Sequence, residues 1–184
     1  APQSFEAAAG RRLMIGWSGC PDATAENPTV ARGWQCALTV PRELSMRDGK
    51  LFQQPAHEIE RMRGDCVRAT GGETVEEPGR LFDLVVSCEG AQVIELEIRK
   101  GVFVRYADGM LTLDMGDEGY GRDQRSIELS ELRDLRVLSD TTMVEIFANG
   151  GEAALTSRTY SPAVPAMELH AEGAASMNFY RLVH

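Results

Sequence analysis

The sequence contains little of what most metal-binding, nucleic-acid-binding or membrane-spanning proteins need. Only 7% of the 184 residues are aromatic, and there are 4 cysteines and 3 histidines. No apolar run approaches the roughly 20 residues that span a bilayer, and no basic region followed by an apolar stretch opens the chain. The net charge is −9, with basic and acidic residues interspersed. Without a block of Lys or Arg to neutralise phosphates, nucleic acid and anionic membranes are poor candidates as partners.

The cysteines and histidines are scattered, and no CxxC pair occurs. They are Cys20, Cys36, Cys66 and Cys88, with His57, His170 and His184. The sequence therefore predicts neither a metal site nor a cofactor. Cys88 ends an apolar run at 84–88 and is interpreted as a small buried hydrophobic residue rather than a disulfide partner or reactive thiol. Unpaired cysteines favour a reducing compartment.

What is present is a series of strand signals. Asp-Gly at 48–49 and 108–109 and Asn-Gly at 149–150 predict three hairpins, because these pairs adopt the positive φ angles of a type I′ turn. They separate strand-like runs at 43–47 and 50–54, 102–106 and 110–115, and 143–148 and 152–158. Further alternating or β-branched runs lie at 11–17, 35–40, 81–88, 93–99, 135–138, 167–171 and 176–183.

Helix signals are sparse, with one short candidate at 56–63 and another at 130–133. Residues 18–33 form a polar stretch with Gly and Pro and without periodicity, which indicates a loop. Many short strands separated by turns predict an all-β fold, an antiparallel sandwich or barrel. In a sandwich, Ile146, Leu155 and Leu169 are expected to point inward.

Two long motifs stand out in the sequence. The first contains Gly-Trp-Ser-Gly at 16–19, Pro-Asp-Ala at 21–23, Asn-Pro-Thr at 27–29, Gly-Trp-Gln at 33–35 and the run 37–51. The second covers 135–152 and continues to Leu-Thr-Ser-Arg at 155–158. Both resemble glycoside hydrolase family 32, the β-fructosidases that include invertases and sucrose-6-phosphate hydrolases. The match extends over nearly the whole chain in the expected order.

The resemblance implies a five-bladed propeller with the active site, followed by a concanavalin A-like β-sandwich. Residues 1–35 would then be a remnant of the final blade, and residues 36–184 the C-terminal sandwich. The family carries its catalytic carboxylates in Asn-Asp-Pro, Arg-Asp-Pro and Glu-Cys motifs, as retaining hydrolysis requires. None of these motifs occurs here. We therefore assign no catalytic residue, and the chain alone is not expected to be an enzyme.

Five residues invite a functional interpretation. Trp17 is the one candidate for the substrate pocket, where the resemblance would place it beside the sugar if the propeller were complete. Trp34 is interpreted as a core or domain-interface residue. Asp140 is interpreted as a turn cap and Glu145 as an outward-facing side chain, because residues five apart on a strand point to opposite faces. Arg158 is interpreted as a solvated strand-end residue rather than as a ligand for an anionic sugar.

The resulting hypothesis is a non-catalytic sandwich that stabilises the catalytic propeller of a bacterial, cytoplasmic β-fructofuranosidase. The first alternative is a carbohydrate-binding, lectin-like module, and the second is a fragment of a hydrolase whose catalytic half is missing from the chain. The strand at 11–17 is expected to expose unpaired backbone groups on an edge, with Leu13, Ile15 and Trp17 uncovered. A homodimer through residues 1–35 is therefore predicted.

Overall fold

A computed structural model describes residues 2–19, 27–88, 90–119 and 121–183. Within these ranges the chain is built almost entirely of strands, and no helix is long and apolar enough to cross a membrane. The helical segments are short 3₁₀ turns, at Ala8–Gly10, Val30–Arg32, His57–Met62, Gly116–Gly119 and Asn149–Gly151. The predicted helix at 56–63 is thus a 3₁₀ segment, and the one predicted at 130–133 is irregular.

The N-terminal strands form a four-stranded antiparallel sheet in the order β1-β2-β5-β6, with a small β3-β4 pair beside it. Their bounds are β1 Gln3–Glu6, β2 Arg12–Ile15, β3 Trp17–Ser18, β4 Ala37–Leu38, β5 Arg42–Arg47 and β6 Lys50–Pro55. The predicted strand at 11–17 is therefore divided between β2 and β3. Strand β2 pairs with β1 on one side and β5 on the other, so the predicted unpaired edge was wrong for this part of the segment. Strand β3, which contains Trp17, pairs only with β4 among the described strands.

The remaining strands form a sandwich of a five-stranded sheet, β13-β12-β11-β10-β18, and a six-stranded sheet, β16-β15-β14-β9-β19-β7, with a β17-β8 pair at the side. Their bounds are β7 Arg63–Thr70, β8 Thr74–Glu76, β9 Phe82–Ser87, β10 Val93–Arg99, β11 Val102–Ala107, β12 Met110–Asp114, β13 Gln124–Glu128, β14 Asp134–Ser139, β15 Met143–Ala148, β16 Ala153–Arg158, β17 Ala166–Glu168, β18 His170–Glu172 and β19 Ser176–Leu182. The described strand neighbours are all antiparallel, as predicted.

The core lies between the two large sheets. Alternation along β10 places Ile94, Leu96 and Ile98 inward, each at most 1% exposed. From the six-stranded sheet, Ile146 and Leu155 face them, at 0% and 9% exposed, and Leu169 is fully buried. The inward orientation predicted for Ile146, Leu155 and Leu169 is confirmed. Cys88 is a free, fully buried thiol, and burial raises its pKa to about 12, so its interpretation as a small hydrophobic residue holds.

The Asp-Gly hairpins form as predicted, with positive φ at both loop residues: 48° and 77° at Asp48 and Gly49, and 50° and 72° at Asp108 and Gly109. The first of them joins β5 to β6, however, and so belongs to the N-terminal sheet and not to the sandwich. Pairing thus places β5 and β6, as far as Pro55, in the N-terminal sheet, and we call strands β1 to β6 the N-terminal unit. The physical reason is that β5 completes its hydrogen bonds with β2 rather than with any sandwich strand. The domain boundary at residue 35 stays a prediction.

Candidate functional site

Strand β15 is buried on both faces, which marks where the N-terminal sheet meets the sandwich. All six of its residues are buried. Val144, Ile146 and Ala148 belong to the sandwich core. Met143, Glu145 and Phe147 point to the opposite face, and they are 4%, 1% and 2% exposed. Something other than the second sheet must therefore cover this outer face, and residues from the N-terminal unit do so.

A buried ion pair fixes that contact. Arg42, the first residue of β5, donates from Nη2 to Glu145 Oε2 at 2.5 Å and from Nε to the same oxygen at 3.2 Å. The backbone N–H of Val40 donates to Glu145 Oε1 at 2.6 Å. Arg42 is 6% exposed, and its guanidinium carbon lies 5.1 Å from the centre of the Phe147 ring. Burial raises the pKa of Glu145, while the Arg42 charge and the Val40 N–H oppose that rise.

The guanidinium of Arg42 also joins three strands. It donates to Gln53 Oε1 on β6 at 3.0 Å and to Thr156 Oγ1 on β16 at 2.5 Å. A charge buried this deeply is tolerable because all three guanidinium nitrogens donate hydrogen bonds. We call Arg42, Gln53, Glu145 and Thr156 the junction network.

A second contact connects β6 to the turn after β15. Gln54 Nε2 donates to the carbonyl oxygen of Gly150 at 2.6 Å. A Cβ built on Gly151 would lie 2.2 Å from the carbonyl oxygen of Gln53, and Gly151 has a φ of 91°. Only glycine allows both this backbone conformation and this close approach. The sheet and the turn are therefore packed backbone against backbone.

A cleft of about 420 Å³ lies beside this junction. Arg63 and Arg136 line it. Both donate to the fully buried Asp83 beneath, from Arg63 Nε at 2.7 Å and from Arg136 Nε and Nη2 at 2.9 and 2.7 Å. The aromatic residues of the cleft are Phe147 and Tyr180. The guanidinium carbon of Arg63 lies 4.4 Å from the centre of the Tyr180 ring.

Neither aromatic residue of this cleft resembles the open platform on which a sugar ring stacks. Phe147 is only 2% exposed, and one guanidinium lies over each ring. Both aromatic rings of the cleft are therefore already in contact with the protein's own cations. This geometry gives no support to the lectin-like alternative.

Three sequence interpretations concerned charged residues of the sandwich. Asp140 accepts hydrogen bonds from the backbone N–H of Thr141 at 2.6 Å and from Thr141 Oγ1 at 3.3 Å, as expected of a residue that caps a turn. Glu145 faces away from the sandwich core as predicted, but it is buried rather than solvated. Arg158 is 4% exposed and donates from Nε to the carbonyl oxygen of Thr142 at 3.0 Å. Its interpretation as a solvated strand-end residue was wrong.

The two tryptophans lie in the N-terminal part. Trp17 is 45% exposed, and the ring covers Gly19, where a Cβ would lie 2.3 Å from it. Its place in a substrate pocket stays a prediction, because the described residues do not form such a pocket around it. Trp34 is 42% exposed, which excludes a core position. The Trp34 ring centre lies 5.5 Å from the guanidinium carbon of Arg158, so this residue is at the interface.

Sequence reasoning missed Arg42 and Asp83. Each lies within a strand-like context where a charged residue is usually solvated. Asp83 carried one usable signal, because it interrupts the apolar run 81–88 with a charge that demands a partner. Among the described residues, no group of three or more His, Cys, Asp or Glu side chains could hold a metal ion.

The fold and junction define an all-β protein in which an antiparallel sandwich is fixed by a buried ion pair to a four-stranded sheet. The family model "Glycosyl hydrolases family 32 N-terminal domain" matches residues 1–55, and "Glycosyl hydrolases family 32 C terminal" matches residues 103–182. The chain belongs to glycosyl hydrolase family 32. The first match ends at Pro55, where β6 ends.

Relatives of this chain carry names from that family. A raffinose invertase of Escherichia coli is 36% identical over 89% of this chain and 37% of its own length. A sucrose-6-phosphate hydrolase of Klebsiella pneumoniae is 34% identical over 98% of this chain and 38% of its own length. The structure of a sucrose-6-phosphate hydrolase from Lactobacillus gasseri matches with a TM-score of 0.84 at 22% identity, over 98% of this chain and 40% of that one. The chain thus spans about a third of the length of the curated relatives it matches.

Proposed function

We propose that this chain is the non-catalytic C-terminal part of a β-fructofuranosidase-type glycosidase, in which the sandwich holds the last part of a catalytic propeller in place. The observation that carries the proposal is the junction network. A buried ion pair and a backbone-to-backbone contact join the sheet matched by the N-terminal family model to the sandwich matched by the C-terminal one.

The surface of the N-terminal unit supports the proposal that this part of the chain belongs to a larger catalytic propeller. Large apolar side chains are exposed there to an extent unusual for a packed sheet: Phe5 46%, Trp17 45%, Leu38 63%, Met46 65% and Leu51 48%. None of the residues of β1 or β2 is fully buried. Apolar surface of this kind marks a place where more protein packs. Upstream blades of a propeller would cover it.

The test compares the chain alone with the longer protein that we propose contains it. The chain alone should release no fructose from sucrose or sucrose 6-phosphate, because the family's acidic motifs are absent from its sequence. The upstream part, expressed separately, should become soluble and active only when this chain is co-expressed. Fructose release by the chain alone, at verified mass and abolished by a substitution within it, would contradict the proposal.

A pairing of two copies through residues 1–35 is a second proposal. Strand β1 pairs only with β2 among the described strands, so its outer edge can accept another strand. Light scattering should give a dimer for the whole chain and a monomer for a version lacking the first 33 residues. A monomer in both cases would exclude this pairing.

A further inference from the structure

A smaller pocket lies between the segment at 27–34 and the turn that precedes β15. Its volume is about 210 Å³. The residues that matter for its chemistry are Thr29, Arg32, Trp34, Arg80, Thr142 and Tyr160. We call it the arginine pocket.

The positive charges of this pocket have no acidic partner among the described residues that line it. Arg32 and Arg80 form no ion pair within the described ranges, whereas Arg11, Arg42 and Arg63 all do. Two unpaired guanidinium groups in one pocket are unexpected in a chain with a net charge of −9. They leave a local positive potential in an otherwise acidic protein.

Two buried cations beside the pocket strengthen that potential. Arg99 is fully buried, and its hydrogen bonds go only to uncharged oxygens: Ser139 Oγ at 2.8 and 2.9 Å and the carbonyl groups of Ser161, Arg80 and Asp140. Burial, together with the neighbouring positive charge of Arg80, lowers the pKa of Arg99 to about 10, although the charge of Asp140 opposes this shift. No carboxylate is among the hydrogen-bond partners described for the Arg99 side chain.

Arg158 is the second buried cation. It lies against two pocket residues, with its guanidinium carbon 5.5 Å from the Trp34 ring centre and 5.4 Å from that of Tyr160. Its Nη2 atom is buried and makes no hydrogen bond in the described structure. A carboxylate near this turn, that of Asp140, already accepts from Thr141 N and Oγ1. The described residues that line the pocket supply no carboxylate of their own to balance these guanidinium groups.

The pocket also holds an unused hydroxyl. Thr29 is 4% exposed, and its Oγ1 atom is buried without a hydrogen-bond partner in the described structure. A buried polar atom in this state costs free energy unless a ligand or water satisfies it. Thr142 lines the same pocket, and the half-exposed ring of Trp34 forms one wall. The pocket thus combines cations, a free hydroxyl and an aromatic face.

We propose that the arginine pocket binds a phosphate monoester, with Arg32, Arg80 and the Thr29 hydroxyl donating to phosphate oxygens and Trp34 flanking the esterified group. Guanidinium groups match the oxygens of a phosphate geometrically and form charge-assisted hydrogen bonds with it. An isolated pocket suits a compact dianion, whereas a nucleic acid would need a continuous basic surface. The inference is independent of the supporting role proposed for the sandwich.

The test is a titration of the whole chain, followed by the Trp34 indole and Arg158 Nε signals in ¹H–¹⁵N spectra. The ligands are inorganic phosphate, fructose 6-phosphate and unphosphorylated fructose, at constant ionic strength. Phosphate-bearing ligands should give saturable shifts. Arg32→Gln combined with Arg80→Gln should weaken binding by about a hundredfold or more, since each lost charged hydrogen bond is worth about tenfold or more.

Arg68→Gln is the matched control, because Arg68 is an exposed arginine on β7 that does not line this pocket. It removes the same charge and should leave affinity unchanged. Arg32 and Arg80 are exposed, and their side chains make no hydrogen bond in the described structure, so dispersed spectra are expected for each single variant. If the double variant unfolds, Arg80→Gln alone provides the measurement.

Comparing the three ligands also shows which part of a phosphate ligand the pocket recognises. Equal affinity for inorganic phosphate and fructose 6-phosphate would mean that the pocket recognises the phosphate alone. Tighter binding of the sugar phosphate, lost in Trp34→Leu, would mean that it also contacts the sugar. Equal binding of fructose and fructose 6-phosphate, equal weakening by Arg68→Gln, or no saturable shift with either phosphate ligand would overturn the proposal.

Discussion

Replacing Arg42 by Met tests whether the junction network holds the two sheets together. The substitution keeps most of the aliphatic volume but removes every donor that Arg42 supplies. Glu145 would keep only the Val40 N–H at 2.6 Å, and it would stay 1% exposed with its charge unpaired. Gln53 and Thr156 would each lose a hydrogen-bond partner as well.

Removing one partner of a buried ion pair costs about 3–5 kcal/mol, because the remaining charge is left desolvated. We therefore expect Arg42→Met to lower the free energy of unfolding by about that amount. The measurement is a urea titration at pH 7 followed by fluorescence, which reports on Trp17 and Trp34 in the N-terminal unit. Adding Glu145→Leu should recover part of the loss, since the buried charge disappears.

The control is Lys50→Met, which breaks a solvent-exposed ion pair across the same junction. Lys50 Nζ lies 3.0 Å from Glu152 Oε1, and the Lys50 side chain is 68% exposed. Such a pair is worth at most about 1 kcal/mol. The reasoning would fail if Arg42→Met cost no more than Lys50→Met. It would also fail if the effects of Arg42→Met and Glu145→Leu added within about 0.5 kcal/mol, because residues in one network should couple.

The loss of unfolding free energy in Arg42→Met should depend on pH, and the pKa of Glu145 sets the direction. Burial raises the pKa of Glu145 in the folded state, and the variant lacks the Arg42 charge that opposes this rise. A carboxyl group with a raised folded pKa contributes stability below its unfolded pKa and loses it as the pH rises through the folded value. The difference between variant and wild type should therefore be smaller at pH 4 than at pH 7. An equal difference at both values would show that Glu145 is not the group left unpaired.

Two further substitutions test the packing. Ile146→Ala should lower the free energy of unfolding by about 2–5 kcal/mol in a denaturant titration, because Ile146 is fully buried. The control, Met46→Ala at a residue 65% exposed, should change it by less than about 0.5 kcal/mol. A loss below about 1 kcal/mol at Ile146 would contradict its burial. Gly151→Ala should cost more than Gly72→Ala, since both have positive φ, at 91° and 83°, but only a Cβ at Gly151 would meet the Gln53 carbonyl. The open Gly72 should lose only the conformational part, about 1–2 kcal/mol, and equal losses would refute the close approach.

Much of the fold could be predicted because its signals are local. Asp48-Gly49 and Asp108-Gly109 fix their turns by backbone preference alone, whatever the rest of the chain does. The alternation at 93–99 sets which side chains face inward. Strands β7 and β13 were not predicted, because their residues are mostly exposed. Their polar sequences show no apolar alternation that would indicate a strand. The strand predicted at 167–171 divides into β17 and β18, which pair in different sheets.

The junction could not be predicted because its partners are far apart in sequence. Glu145 and Arg42 are separated by 103 residues. Alternation correctly placed Glu145 on the outer face of its sheet, and an outer face is normally solvated. Nothing local indicates that β5 and the preceding segment cover that face. Arg158 was misjudged for the same reason, since Nη1 donates to the carbonyl groups of Ser18 and Gln35, far upstream.

A buried ion pair is a costly way to join two sheets, but it specifies one arrangement of them. Apolar contacts alone, such as those of Met143 and Phe147, would tolerate a sliding of β5 along β15. Shifting β5 by two residues, which keeps the same faces in contact, would bring Leu44 to the position of Arg42. Glu145 would then be buried without a cation, at a cost of about 3–5 kcal/mol. The junction network therefore fixes the register between the N-terminal sheet and the sandwich. Replacing the network by apolar residues should allow other registers before it lowers the free energy of unfolding.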